Sequence, residues 1–257
     1  ADHVWTTTTG QGVIVAVVDS GSGPHPDLAE NLLPGRSIIG TVESQDGRDI
    51  DASGHGTHVA GIIAAVANNG IGGSGVAPNA KILPIQVLDQ AGQGDARDVA
   101  AGVRFAADNG ARVINLSLGG ATESSSLTQA ITYANDKGVL VVAAAGNGGA
   151  ADKPKWPASL DLTLAVTAVD QANNATSFDQ RGDYIDLSAP GANIVSTAKG
   201  DYVTLSGTSM AAGFVAGAAA LLFAAEPRVT NAQVRDILLR TATDIGEPGR
   251  DVTFGAG

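Results

Sequence analysis

Three short stretches hold the side chains of this chain that can make and break bonds: Val17-Val-Asp-Ser-Gly21, Ser53-Gly-His-Gly-Thr-His-Val-Ala-Gly61 and Ser206-Gly-Thr-Ser-Met-Ala211. They supply an acid (Asp19), an imidazole (His55) and a hydroxyl (Ser209), in that order. Serine is a weak nucleophile at neutral pH. It needs a neighbouring base, and the base needs a carboxylate to hold its tautomer and stabilise its cation. Ser209 opens an apolar, Ala-rich run that continues to Leu222. Ala and Leu favour helix, and the run is too apolar for a surface, which predicts a buried helix. A hydroxyl at its start faces unsatisfied backbone N–H groups and the positive end of the helix dipole. That place suits a reaction that develops negative charge. Taken alone, Ser209 also reads as an N-cap serine, Asp19 as a strand-end acid and Asn147 as a loop residue.

The elements that must position these groups follow from the pattern of apolar residues. The chain has 257 residues, 44% of them apolar, enough for one α/β domain with a full core. Val13-Ile-Val-Ala-Val-Val18 is a β-branched run of the kind that is buried on both faces of a sheet. Strands are also predicted at Lys81–Val87, 113–117, 140–143 and 164–169. Pro84 is expected to put the first of these at an edge or an irregular position. Helices are predicted from Gly56, from Asp95 up to Gly110, from Ser126 up to Gly138, after Thr208, and after a Thr230–Gln233 capping box. Strands alternating with helices imply a three-layer αβα fold with a mostly parallel central sheet, and no linker divides residues 1–257. Catalytic groups on such sheets gather at the carboxyl ends of strands, where Asp19, Ser117–Gly120 and Asn147 fall.

Composition excludes some functions. The 26 acidic and 15 basic residues give a net charge of −11, opposite to the basic footprint that nucleic acid requires. No cysteine is present, so no disulfide holds the fold. No apolar run reaches transmembrane length without Gly or polar interruptions, and no basic-then-apolar leader opens the sequence.

The three motifs together resemble the subtilisin-type serine proteases. So do His25-Pro-Asp-Leu28, Asn115-Leu-Ser-Leu-Gly-Gly120, Val142-Ala-Ala-Ala-Gly-Asn147 and Ser188-Ala-Pro-Gly191. The resemblance runs from about Gly10 to the end. It implies a secreted, monomeric endopeptidase that acts on polypeptides, with a pro-segment or protein inhibitors as further partners. It implies that Asp19 orients His55, that His55 is base and then acid, and that Ser209 attacks. The Asn147 amide and the Ser209 N–H would hold the oxyanion. Gly92, Gln93 and Gly94 would border the substrate on one side and Ser117, Leu118, Gly119 and Gly120 on the other. The first-subsite pocket would be walled by Ser117–Gly120, Ala144, Ala145, Gly146, Asn147, Lys155 and Trp156. Lys155, at its floor, is expected to raise tolerance for acidic side chains or to fold out to solvent. The resemblance also implies structural Ca²⁺ on Asp27, Asn69 and the carbonyls of Ala67, Ile71 and Gly73. Such hard oxygens suit that ion. Relatives begin earlier and draw another ligand from that extension, so its lack here is expected to weaken the site. Asp49, Asp51 and Asp186 are expected to be solvated acids, and His58 a structural histidine without the zinc-hydrolase pattern.

Two departures bear on function. Relatives carry Pro-His where this chain has Gly213-Phe214. A glycine there is expected to loosen the turn that carries Ser209, and relaxing that proline is a known route in the family to peptide ligation. A ligase or transpeptidase is therefore the alternative, with a catalytically dead binding module behind it. Both ends are shorter than the family pattern, which is the expectation for a trimmed mature form. Two other classes fail on motif. An aspartic protease needs a second Asp-Thr/Ser-Gly, and Gly207-Thr-Ser-Met-Ala211 lacks the second glycine of an α/β-hydrolase elbow.

Overall fold

A strand that is apolar at every position must be covered on both faces, and the chain meets that demand with helices on each side of one sheet. The computed structural model describes residues 4–40, 42–44, 51 and 53–257. Among them are β1 (Ile14–Asp19), β2 (Arg36–Ile39), β3 (Val42–Ser44), β4 (Lys81–Gln86), β5 (Val113–Leu116), β6 (Leu140–Ala144), β7 (Thr163–Val169) and β8 (Leu187–Pro190). They form one sheet in the order β3-β2-β4-β1-β5-β6-β7-β8, parallel throughout except for β3 against β2. A separate antiparallel pair joins β9 (Ile194–Ala198) and β10 (Asp201–Leu205).

Side chains of β1 alternate between two cores. Val13, Val15 and Val17 pack on the side of α1 (His55–Ala64) and α4 (Thr208–Ala225). Ala16 and Val18 pack on the side of α2 (Ala96–Asp108) and α3 (Ser125–Asp136). With α5 (Asn231–Thr241) joining the first core through Val234, the three-layer αβα architecture is as expected. The helix ends follow their local signals. The Asp95 side chain accepts from Arg97 N at the start of α2. Gly110 and Gly138, both with φ near +80°, follow the ends of α2 and α3. Thr230 and Gln233 form the reciprocal cap of α5.

The helix that carries Ser209 is apolar all round and packs inside the fold, although its length and composition alone would let it cross a bilayer. Gly213 does not loosen it: α4 runs unbroken through that position. A Cβ on Gly213 would stand 3.2 Å from Ile62 Cγ2 and 3.6 Å from Val59 Cγ1. The glycine is therefore filled space where α4 lies against α1.

Of the two places expected for Pro84, the structure shows the irregular one: β4 lies between β2 and β1, and Pro84 falls just before β2 begins to pair with it. Ile82 on the same side of β4 bonds to Asn31 O and Leu33 N, so the missing N–H of Pro84 points the same way. There it meets Gly35, before β2 begins to pair. A Cβ on Gly35 would lie 2.1 Å from Pro84 O and 2.7 Å from its ring Cγ. The proline is tolerated because the opposing residue has no side chain. Ahead of β1, Trp5 packs against the first core and donates Nε1–H to Val76 O at 2.9 Å.

Gly35→Ala should therefore destabilise the fold by about 1–3 kcal/mol through overpacking. Urea denaturation of the variant measures it, and activity per folded molecule should stay as in the parent.

Candidate active site

Asp19 ends β1 with no exposure to solvent. Its Oδ1 accepts from Ser20 N at 2.7 Å and from His55 Nδ1 at 2.8 Å. A carboxylate can only accept, so Nδ1 carries the proton and Nε2 is left as the basic nitrogen. His55 is the first residue of α1. The contact exists because Gly56 follows it: a Cβ there would lie 2.0 Å from Gly21 O and 3.3 Å from Asp19 Cβ. The negative charge of Asp19 raises the His55 pKa above its ordinary 6.5. Burial opposes this, and the Asp19 hydrogen bond and the charge of Asp51 add to it.

His58 is a different case. It is fully buried, and its Nε2 meets the carbonyls of Ile194 at 3.1 Å and Val203 at 3.2 Å. Burial lowers its pKa, so it is neutral and pins the β9–β10 pair to α1.

Ser209 is the second residue of α4 and is nearly buried. Its Oγ faces the Ser117 carbonyl at 3.4 Å. Ser117 Oγ donates to the Ser209 carbonyl and accepts from Asn115 Nδ2, both at 2.9 Å. The Asn147 oxygen accepts from Thr208 N at 2.9 Å and lies 3.0 Å from Thr208 Oγ1. A backbone N–H can only donate, so the amide orientation is fixed and the two N–H donors of Asn147 are left for another acceptor. The Ser209 N–H lies in the first turn of α4, where no intrahelical acceptor exists.

Two cavities meet at a wall made by Ser117, Leu118 and Gly119. The larger, about 500 Å³, is lined by Asp19, His55, Gly92, Gln93, Gly94, Gly120 and Trp156 among others. The smaller, about 230 Å³, is lined by Ala144, Gly146, Asn147, Lys155, Thr208 and Ser209. Acid and imidazole thus line the larger cavity, and hydroxyl and amide the smaller, on the two sides of that wall. Three expected pocket residues, Gly120, Ala145 and Trp156, fall outside the smaller cavity. Ala145 is buried behind the wall, its carbonyl accepting from Tyr184 Oη at 3.2 Å. Trp156 lines the larger cavity, because its backbone pairs with Gly120 through bonds of 2.8 and 2.9 Å. Lys155 is neither bare nor folded out: its ammonium pairs with Asp152 at 2.9 Å.

At the expected metal loop, Asp27 Oδ1 accepts from Asn69 Nδ2 at 2.7 Å and Oδ2 accepts from Tyr202 Oη at 3.0 Å. Burial first, then Asp27, pushes the Tyr202 pKa up to about 12. Gly72, with φ +54°, lays the loop directly over Asp27; a Cβ there would stand 2.4 Å from Asp27 Oδ2. Of the other acids, Asp49 lies outside the described residues. Asp51 and Asp186 are buried rather than solvated. Asp186 takes both its oxygens to Arg235, at 3.0 and 2.9 Å, and pairs with Arg250 at 3.2 Å. A buried carboxylate needs such partners.

The subtilase family model matches residues 10–257. The chain belongs to the subtilase family. It is 48% identical over 240 residues to Subtilisin Savinase of Lederbergia lenta, covering 93% of this chain and 86% of that protein. It is equally identical over 240 residues to an alkaline protease of Alkalihalobacillus alcalophilus, covering 93% of this chain and 61% of that one. The chain thus spans about three fifths of the length of that relative. Among solved structures, Sphericase superposes with a TM-score of 0.91 at 37% identity, covering 98% of this chain and 92% of that one. As a subtilase, the chain is a serine endopeptidase.

Several residues that shape this subtilase site had other roles, or none, in the linear reading. Thr208 orients the Asn147 amide, Asn115 and Ser117 anchor the Ser209 backbone, and Asp152 neutralises Lys155. Ser20 and Asp51 join the ends of β1 and α1. Ser20, Asn115, Ser117 and Thr208 lie within the motifs themselves, whereas Asp51 and Asp152 lie outside them.

The base must be neutral to accept a proton, and its folded pKa is raised. Activity should therefore fall as pH drops through a midpoint above 6.5. A kcat/KM profile measures the midpoint. Asp19→Asn, if it still turns over, should move it down.

Proposed function

We propose that this subtilase domain, residues 1–257, cleaves peptide bonds through an acyl-enzyme on Ser209. Ser209 Oγ leaves the Ser117 carbonyl, attacks the scissile carbonyl carbon and gives its proton to His55 Nε2. Asp19 stabilises the imidazolium through Nδ1–H. The Asn147 amide and the Ser209 N–H donate to the oxyanion. His55 then returns the proton to the leaving amine, and water repeats the sequence on the acyl-enzyme. The observation that carries the reading is the 2.8 Å His55–Asp19 bond, in a cavity that shares the Ser117–Gly119 wall with the one lined by Ser209.

An extended substrate would pair its backbone between Gly92–Gly94 and Leu118–Gly120. Its first-subsite side chain would enter the smaller cavity. There Asp152 already holds the Lys155 ammonium, so the pocket offers a neutral ion pair and acidic side chains are tolerated rather than preferred. Secretion, a monomeric state, and a pro-segment or protein inhibitor as partner belong to the same reading.

The test is mass spectrometry of products from peptides that differ only at the first subsite, with and without added amine. Acid products that vanish in Ser209→Ala support hydrolysis through Ser209. Amide products as the main species would favour the ligase instead, and a chain that neither turns over nor reacts with a serine-directed phosphonate would be the dead module. Asp152→Asn should raise turnover of the glutamate peptide relative to its neutral counterpart. Asn147→Leu should cost about 10²- to 10³-fold in kcat, the loss known for the oxyanion asparagine of this family.

Calcium would fit the loop at Asp27 once the Asn69 amide turns over, since its Nδ2 now donates to Asp27 and its oxygen accepts from Ile71 N. The carboxylate and the Asn69 oxygen each keep lone pairs beyond the bonds they accept. With the carbonyls of Ala67, Ile71 and Gly73 they give hard oxygen donors on a Gly-rich turn. The ion would brace the loop and take no part in the reaction. One carboxylate makes a weak site, and no cluster of three or more His, Cys, Asp or Glu stands among the described residues. Chelation should therefore lower Tm modestly and leave kcat at low temperature unchanged, as thermal unfolding with and without EDTA would measure.

A further inference from the structure

Asp51 is nearly buried yet belongs to none of the groups that touch the reacting atoms. Every oxygen it has is used. Oδ1 accepts from Gly54 N at 2.9 Å and Ser20 Oγ at 2.8 Å, with Ser53 Oγ at 3.2 Å. Oδ2 accepts from Thr57 N at 2.7 Å and Thr57 Oγ1 at 2.6 Å. Gly54 N-caps α1 without a side chain of its own, so Asp51 supplies the missing cap from outside. Ser20 stands between two carboxylates, its Oγ 2.8 Å from Asp51 and 3.1 Å from Asp19. It also accepts from Gly56 N at 3.1 Å. The carboxylate thus binds the last turn of the strand that carries Asp19 to the first turn of the helix that carries His55.

We propose that Asp51 is a positioning residue for His55, clamping β1 to α1 so that the imidazole stands correctly between Asp19 and the nucleophile. The proposal rests on the reading of His55 as the general base. A cap alone would need only the bonds to Gly54 and Thr57. The bond to Ser20 does more than cap: Ser20 follows β1 directly and accepts from Gly56 N in the first turn of α1, so through it Asp51 reaches the strand end as well as the helix. The charge acts in the same sense as the clamp. The groups that face His55 are Asp19, Asp51 and the neutral His58. Asp19 Oδ2 has no hydrogen-bond partner among the described residues. Two buried negative charges, one of them partly unscreened by donors, favour a positive ring. Asp19 raises the His55 pKa most and Asp51 adds a smaller contribution in the same direction.

The test compares Asp51→Asn, Asp51→Glu and Ser20→Ala with the parent by pH–rate profiles, kcat and KM, and the proton resonance of His55 Nδ1–H. Asp51→Asn should lower kcat by about 10- to 100-fold, as a small misplacement of a catalytic group does, with KM steady. It should also move the acid limb to lower pH and shift the Nδ1–H resonance. Asp51→Glu should restore the limb but not the full kcat, since it returns the charge with a longer reach. A folded Asp51→Asn with parental kcat, or with a lower kcat and an unmoved acid limb, would overturn the proposal and leave a plain helix cap. If Asp51→Asn does not fold, Ser20→Ala decides. It cuts the bridge and one first-turn acceptor, that of Gly56 N, while the Asp51 bonds to Gly54 and Thr57 stay, so kcat should fall with KM steady, and an unchanged kcat sinks the idea. His55→Ala separates the two levels. Activity surviving in that variant would remove the general base itself, whatever Asp51 does.

Discussion

A carboxylate sealed from water must be met by donors, and the site depends on where the chain meets that need for Asp19. A hydrophobic strand delivers the acid into the interior, at the carboxyl end of the sheet. There the donors are Ser20 N and the His55 ring. The cost of burying the charge is offset only when the imidazole stands in that one place. The same constraint that keeps the fold together thus fixes the tautomer of the base. Close backbone approach makes it possible: where Gly56 lies against Gly21, any side chain would push α1 off the end of β1.

The nucleophile is positioned by a different means. α4 has almost no polar surface and is gripped by the sheet and by α1 over its length. Small residues let it pack close, as at Gly213 against Ile62 and Gly217 against Val76. Its first turn alone is polar. Asn147 spends its oxygen on Thr208, and Ser117 spends its hydroxyl on the Ser209 carbonyl. The Asn147 amide is thus oriented with no substrate present, which is the preorganisation that the proposed oxyanion role requires.

Much of this was legible in the linear chain. The β-branched run to Asp19, the capping box at Thr230 and the glycines that close α2 and α3 all read correctly, because each signal is local. Expectations that needed neighbours failed or were left open. Pro84 left an edge and an irregular position both open, because nothing along the chain reveals that Gly35 faces it. Asp186 was taken as solvated because its partners, Arg235 and Arg250, lie far away in sequence. The Lys155 charge looked free until Asp152 was found beside it. Gly213 looked like a loosened turn because its tight packing comes from α1, a separate segment.

By itself, then, the sequence determined the order of elements, the residue types able to do acyl-transfer chemistry and the strand ends where they gather. These follow from side-chain periodicity and backbone preferences, which act over a few residues. Tertiary structure alone decided which charges are neutralised, which amide nitrogens face the cleft and which carboxylate caps the helix of the base. Those outcomes depend on burial and on donors and acceptors far apart in the chain, whose desolvation is settled only once the layers close.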